Sequence, residues 1–159
     1  MATSEKPTVQ TDPGRGRRLG VDVGSVRIGV ALSDPDCILA TPLETVSAAV
    51  DGSDVSRVAE LVRDNLVVEV IVGLPVALRG NHTSSTYLAE DFAEDLREEL
   101  RDIPVRLVDE RLSTMAATQA FQAVGISAKK GRKKIDQAAA VHILQGWLDA
   151  RRRVFSQNG

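Results

Sequence analysis

The chain has 159 residues, 43% of them hydrophobic and 3% aromatic, and carries a formal net charge of −2. That length suits one domain around one aliphatic core, and the scarcity of aromatic residues argues against a base-stacking platform for single-stranded nucleic acid. One cysteine, Cys37, rules out an intramolecular disulfide or a cysteine-based zinc site.

The charge is unevenly spread. Arg15, Arg17 and Arg18, the run Lys129, Lys130, Arg132, Lys133 and Lys134, and Arg151 to Arg153 are basic, whereas Glu90 to Glu99 is acidic. Such asymmetry fits an anionic partner on one face, or equally a solvated surface. Met1 is not followed by a cationic and then apolar leader, and no apolar run is long enough to cross a membrane. A lone thiol fits a reducing compartment, so a soluble cytoplasmic protein is expected.

In chain order, residues 1–17 lack periodicity and read as a disordered tail. Leu19 to Val23 alternate with a period of two, Gly24-Ser25 interrupts, and Val26 to Leu32 resumes, which predicts a β-hairpin. Ile38 to Val46 adds a third strand, placed at an edge by Pro42. Asp51-Gly52-Ser53-Asp54 offers turn and cap chemistry before a helix with Val55, Val58, Leu61, Val62 and Leu66 on one face. Val67 to Val72 is uniformly apolar apart from Glu69, as in a central parallel strand, and Pro75 ends it. After a loop containing Arg79, Thr83 or Ser84 caps a helix with Leu88, Phe92, Leu96 and Leu100 inward. Pro104 to Glu110 is the last strand. A helix capped by Ser113 or Thr114 and closed by Gly125 follows. Gly125 to Lys134 reads as a mobile basic loop, and a final helix begins near Asp136, with residues 151–159 a basic tail. The domain expected over 18–150 is α/β, a mixed five-stranded sheet with helices packed on both faces.

Three acids occupy positions awkward for a purely structural role. Asp22 interrupts the first strand, where it is either satisfied by the turn amides at Gly24-Ser25 or faces a metal or phosphate. Glu110 ends the last strand, at the edge where ligands of parallel sheets bind, or pairs with Arg111. Asp136 opens the last helix, where the helix dipole alone would favour it. Were the three to converge, their repulsion would call for a hard divalent cation such as Mg²⁺ or Mn²⁺. No Walker A loop, G-x-S-x-G elbow or Cys-His zinc set is present.

Leu19 to Asp34, Val72-Gly-Leu-Pro75, Val108-Asp-Glu-Arg-Leu-Ser113 and Lys134 to Asp149 together resemble, in register, the motifs of the YqgF/RuvX family. That bacterial family is associated with Holliday junction resolution and with nucleolytic maturation of pre-16S ribosomal RNA. The resemblance implies an RNase H-like fold and a Mg²⁺- or Mn²⁺-binding catalytic set of Asp22, Glu110 and Asp136, with Asp34 and Asp109 as supporting acids. It implies an endonuclease acting on structured nucleic acid, pre-rRNA or a four-way DNA junction. The basic run 129–134 would guide the phosphate backbone. One departure stands out: the family's Asn-Met-Asp-Gly-like run is Ala77-Leu78-Arg79-Gly80 here, which leaves Arg79 as a candidate phosphate contact. Junction resolution would favour a homodimer, and Cys37 would permit a disulfide-linked one. Two rivals share the same hairpin: an actin-like ATP-binding domain, for which the chain is short by half, and a non-catalytic RNA-binding assembly module.

Overall fold

A computed structural model describes residues 4–75, 82–110 and 128–158, with side chains of the last helix described from 137 to 157. Arg79 and the helix expected between Ser113 and Gly125 lie outside the described residues. The order is β1 (Arg17–Val23), β2 (Arg27–Ser33), β3 (Ala40–Ser47), α1 (Ser53–Asp64), β4 (Val67–Leu74), α2 (Ser84–Leu100), β5 (Val105–Asp109) and α3 (Ala128–Asn158). The sheet runs β3-β2-β1-β4-β5. β1 pairs antiparallel with β2 and parallel with β4, and β4 pairs parallel with β5, so the sheet is mixed as expected. β3 is the expected edge strand. Pro42 sits beside the register shift at Val30/Ala31, where the missing N–H does least harm.

Alternation along the strands divides the core in two. Leu19, Val21, Val23, Val70 and Val72 face α1 and α2, joined by Val58, Val62, Phe92 and Leu96. Ala31 and Ile71 face the other way, under Ala140, Ile143, Leu144, Trp147 and Leu148 of α3. Helices therefore cover both faces of the sheet. Leu66 and Leu88, expected inward, miss the core: Leu66 falls past the end of α1 at φ 55 and is exposed, and Leu88 sits at the edge of its helix's apolar stripe.

α3 differs most from expectation. It starts eight residues before Asp136, so the basic run is helical and not a loop. Ala, Lys and Arg are good helix formers, and the single Gly131 costs only about 1 kcal/mol against them. The helix also runs on through Arg151 to Asn158 in place of a tail. Residues expected to be a disordered N-terminal tail are seated instead. Glu5 donates its N–H to Leu107 O at 2.7 Å, and Asp12 accepts two hydrogen bonds from Arg151, at 2.7 and 3.1 Å.

That Asp12 belongs to a buried charge network beneath α3. Arg18, fully buried, meets Glu69 and Asp12 at 3.0 Å each, and Arg106 meets Glu69 at 2.9 Å. Trp147 donates its indole N–H to Glu69 at 3.1 Å. Burial pushes the Asp12 carboxyl up, but Arg151, the Gly14 N–H and Arg18 outweigh it and hold the group below the usual carboxylate range. These charges survive burial because each is paired and hydrogen-bonded. The network ties the N-terminal segment, β1, β4, β5 and α3 into one body.

Candidate active site

Asp22 and Gly20 lie on the α3 face of β1, the strand at the centre of the sheet. α3 comes so close to β1 at Gly20 that an added Cβ would stand 2.7 Å from Leu144 Cβ and 2.8 Å from Ala140 O. One strand over, β4 presents Gly73. A Cβ there would stand 2.5 Å from both Glu110 Oε2 and Ile143 Cδ1. Glycine thus leaves the space into which the Glu110 carboxyl leans from the end of β5, across β4 and toward β1. This role was legible only as a weak signal, a glycine inside an apolar strand.

The electrostatics show the approach. Burial raises the Glu110 carboxyl to about 7, with the charges of Asp22 and then Asp109 adding to the rise. A buried acid facing two other carboxylates is shifted in this direction. Asp22 and Glu110 are therefore brought to one edge of the sheet, where β1, β4 and β5 all end. Asp109, one residue earlier on β5, adds its charge there and donates its backbone N–H to Ser4 Oγ at 2.9 Å.

Asp136 lies within α3, and its side chain is outside those described. Its backbone level is defined. Neighbouring Gln137 donates to Thr45 Oγ1 at 2.8 Å, Thr45 pairs with Gly29, and Gly29 pairs with Asp22. The start of the described part of α3 thus crosses the sheet on the row that holds Asp22. Lys129, Lys130, Arg132, Lys133 and Lys134 occupy the two helical turns before it.

Asp34 is placed elsewhere. Leu32 pairs with Leu19, so Asp34 lies past the opposite end of β1 from Asp22. It accepts the N–H groups of Ile38 and Leu39 at 2.8 Å each and of Asp36 at 3.1 Å. Burial pushes its carboxyl up, but those donors prevail and hold it low. Asp34 closes the β2–β3 turn and is not brought to the other acids. Cys37, in the same turn, is 4% exposed, and its thiol is pushed up by burial. So placed, the thiol is covered within the chain.

Among the described residues, no three His, Cys, Asp or Glu side chains form a metal-holding group. The donor chemistry nonetheless fits a divalent cation: two hard oxygen donors, one of them raised by burial and by the other's charge to about 7. Among these residues, no helix is long and apolar enough to cross a membrane.

Comparison with known proteins bears on the family and the fold. The family profile described as "RuvX: Holliday junction resolvase" matches residues 16–150. A protein of Corynebacterium jeikeium (strain K411) named "Putative pre-16S rRNA nuclease" is 73% identical over 153 residues, covering 96% of this chain and 99% of that one. A protein of the same name from Nocardia farcinica (strain IFM 10152) is 56% identical over 98% of this chain and 90% of its own. Among solved structures, Thermus thermophilus RuvC in complex with a Holliday junction substrate superposes with a TM-score of 0.56 at 18% identity, over 87% of this chain and 97% of that one. At that identity the likeness speaks for the fold, a RuvC-like RNase H fold. With the profile spanning both strands of the hairpin, the Glu110 strand and the body of α3, the chain belongs to the RuvX family.

Proposed function

We propose that this protein is a divalent-metal-dependent endonuclease that hydrolyses phosphodiester bonds of structured nucleic acid, with the 5′ end of pre-16S rRNA as its substrate. The observation that carries the reading is the juxtaposition of Asp22 and Glu110 at one sheet edge, close enough for the charge of one to raise the pKa of the other. The names of the relatives support the RNA assignment.

Asp22, Glu110 and Asp136 would hold Mg²⁺ or Mn²⁺. When bound, such an ion supplies the positive charge that lets the carboxylates ionise together and the Lewis acidity that phosphodiester hydrolysis draws on. Asp22 is held on a central strand paired on both sides, so its position is set by the sheet. Glu110 keeps its proton up to about pH 7 and can release it near neutrality, giving the site its full negative charge when a cation arrives. Gly73 leaves the room this carboxyl needs. The lysines and arginine of residues 129–134, on the turns of α3 that lead into the site, would hold the phosphate backbone without reading sequence.

A second reading, cleavage of four-way DNA junctions, is favoured by the description of the family profile. Homodimerisation would belong to that reading. The test is cleavage, by one purified sample with Mg²⁺, of a pre-16S rRNA 5′ fragment and a matched four-way DNA junction. Faster cleavage of the RNA is expected, and Asp22→Asn abolishes it. Full activity in Asp22→Asn refutes the site, and cleavage of the junction alone moves the substrate to DNA.

A further inference from the structure

A groove of about 720 Å³, with Asp109 in its lining, runs between the N-terminal segment, the end of β5 and the C-terminal half of α3. Its floor is apolar, made by Val108, Ala150, Val154 and the rim of the 3%-exposed Trp147, and Gly146 lines it from α3. The wall opposite α3 is the segment from Ser4 to Pro7. It is held in place by the Glu5 N–H donated to Leu107 O at 2.7 Å and by the Asp109 N–H donated to Ser4 Oγ at 2.9 Å.

Two cations line the groove, Lys6 from the wall and Arg153 from α3. The neighbouring Arg151 and Arg152 are taken up by Asp12 and Asp149, at 2.7 and 3.3 Å. Of the two carboxylates in the lining, Glu5 already accepts the Leu107 N–H and lies 3.7 Å from Arg106. The other is Asp109, which immediately precedes Glu110 and whose charge acts on it.

We propose that this groove is a nucleotide subsite. It receives an unpaired nucleotide of the strand whose phosphodiester lies at Asp22 and Glu110, with the base on the apolar floor and its phosphate between Lys6 and Arg153. The proposal rests on the nuclease reading and adds a substrate feature to it, a single-stranded nucleotide next to the cleaved bond. The volume is of the order that encloses small ligands and leaves room for a nucleoside monophosphate. A flat base with an anionic phosphate matches an apolar floor with a cationic rim. Splayed, unpaired bases are also the form in which proteins take up structured RNA most selectively.

Trp147, the chain's one tryptophan, lines the groove and reports its occupancy without any cleavage. A single-stranded hexaribonucleotide is titrated into the full chain in chelator, and Trp147 emission is followed. A saturable change is expected, with affinity about tenfold weaker in Gly146→Leu, which fills the groove with a helix-favouring side chain. Arg153→Ser, on an exposed helix position, weakens it several-fold and flattens its salt dependence. No saturable change, or both groove variants binding like the wild type, overturns the proposal. So does an apolar dye that reports at Trp147 and that the hexanucleotide does not displace. Cleavage with Mg²⁺ is read separately. Binding without cleavage keeps the subsite and refutes the nuclease reading, and cleavage without binding does the reverse.

Discussion

Replacing Glu110 by glutamine keeps the shape of the side chain and removes its charge, so the variant isolates what the charge costs. The rise from the ordinary value of 4.5 to about 7, at about 1.4 kcal/mol for each tenfold change in proton affinity, makes the ionised carboxyl cost the metal-free fold about 3 kcal/mol. Between pH 4.5 and 7 the folded chain holds a proton that the unfolded chain has released. The wild type therefore loses stability as pH rises through that window, and the loss is complete above pH 7. Glu110→Gln escapes the loss. In chelator, urea unfolding is expected to show the two proteins nearly equal at pH 4.5 and the variant more stable by about 3 kcal/mol at pH 8, or about 6–12 °C in Tm for a domain of this size. Mg²⁺ added at pH 8 then stabilises the wild type by mass action and the variant little. A difference between the two that does not change with pH would show that the carboxyl is neither buried nor held beside Asp22, and would refute the site. Such a cost is what a functional carboxylate pair imposes on a fold that must keep its ligand site open.

Gly73→Ala sets a methyl group 2.5 Å from Glu110 Oε2 and Ile143 Cδ1. A loss of about 1–3 kcal/mol is expected in urea unfolding, with weaker Mg²⁺ stabilisation, and unchanged metal response would show that Glu110 does not need that space. Glu69→Leu strips a partner from Arg18, Arg106 and Trp147 at once. It is expected to cost about 3–5 kcal/mol by urea denaturation, and a neutral result would mean the network carries no net stability. Cys37 should react with a thiol reagent only after unfolding and give no dimer on non-reducing gels, since it is 4% exposed. Fast labelling of the native protein would contradict that burial.

How far the fold was legible follows from the range of the interactions involved. The hairpin, the edge position of β3 and the central β4 are consequences of alternation, Pro42 and an apolar run, all contained within a few residues. Glu69 is the one charge in the central strand β4, and its partners come from residues 18, 106 and 147, which no local pattern joins. The two ends of the chain were misjudged for the same cause. Asp12 and Arg151 read separately as a tail acid and a tail base, and they are ordered because they meet.

The sequence by itself determined that Asp22 lies on the first strand and Glu110 at the end of the last, because turn chemistry and periodicity act over a few residues. Only the tertiary structure decided which of them share an electrostatic environment. Asp22 lies on β1 and Asp34 just past the end of β2, which pairs with it, yet antiparallel pairing sends them to opposite ends of the sheet. Asp22 and Glu110 are far apart in the chain, and parallel pairing through β4 carries both to one edge, where the bare backbone of Gly73 lets the second carboxyl lean toward the first.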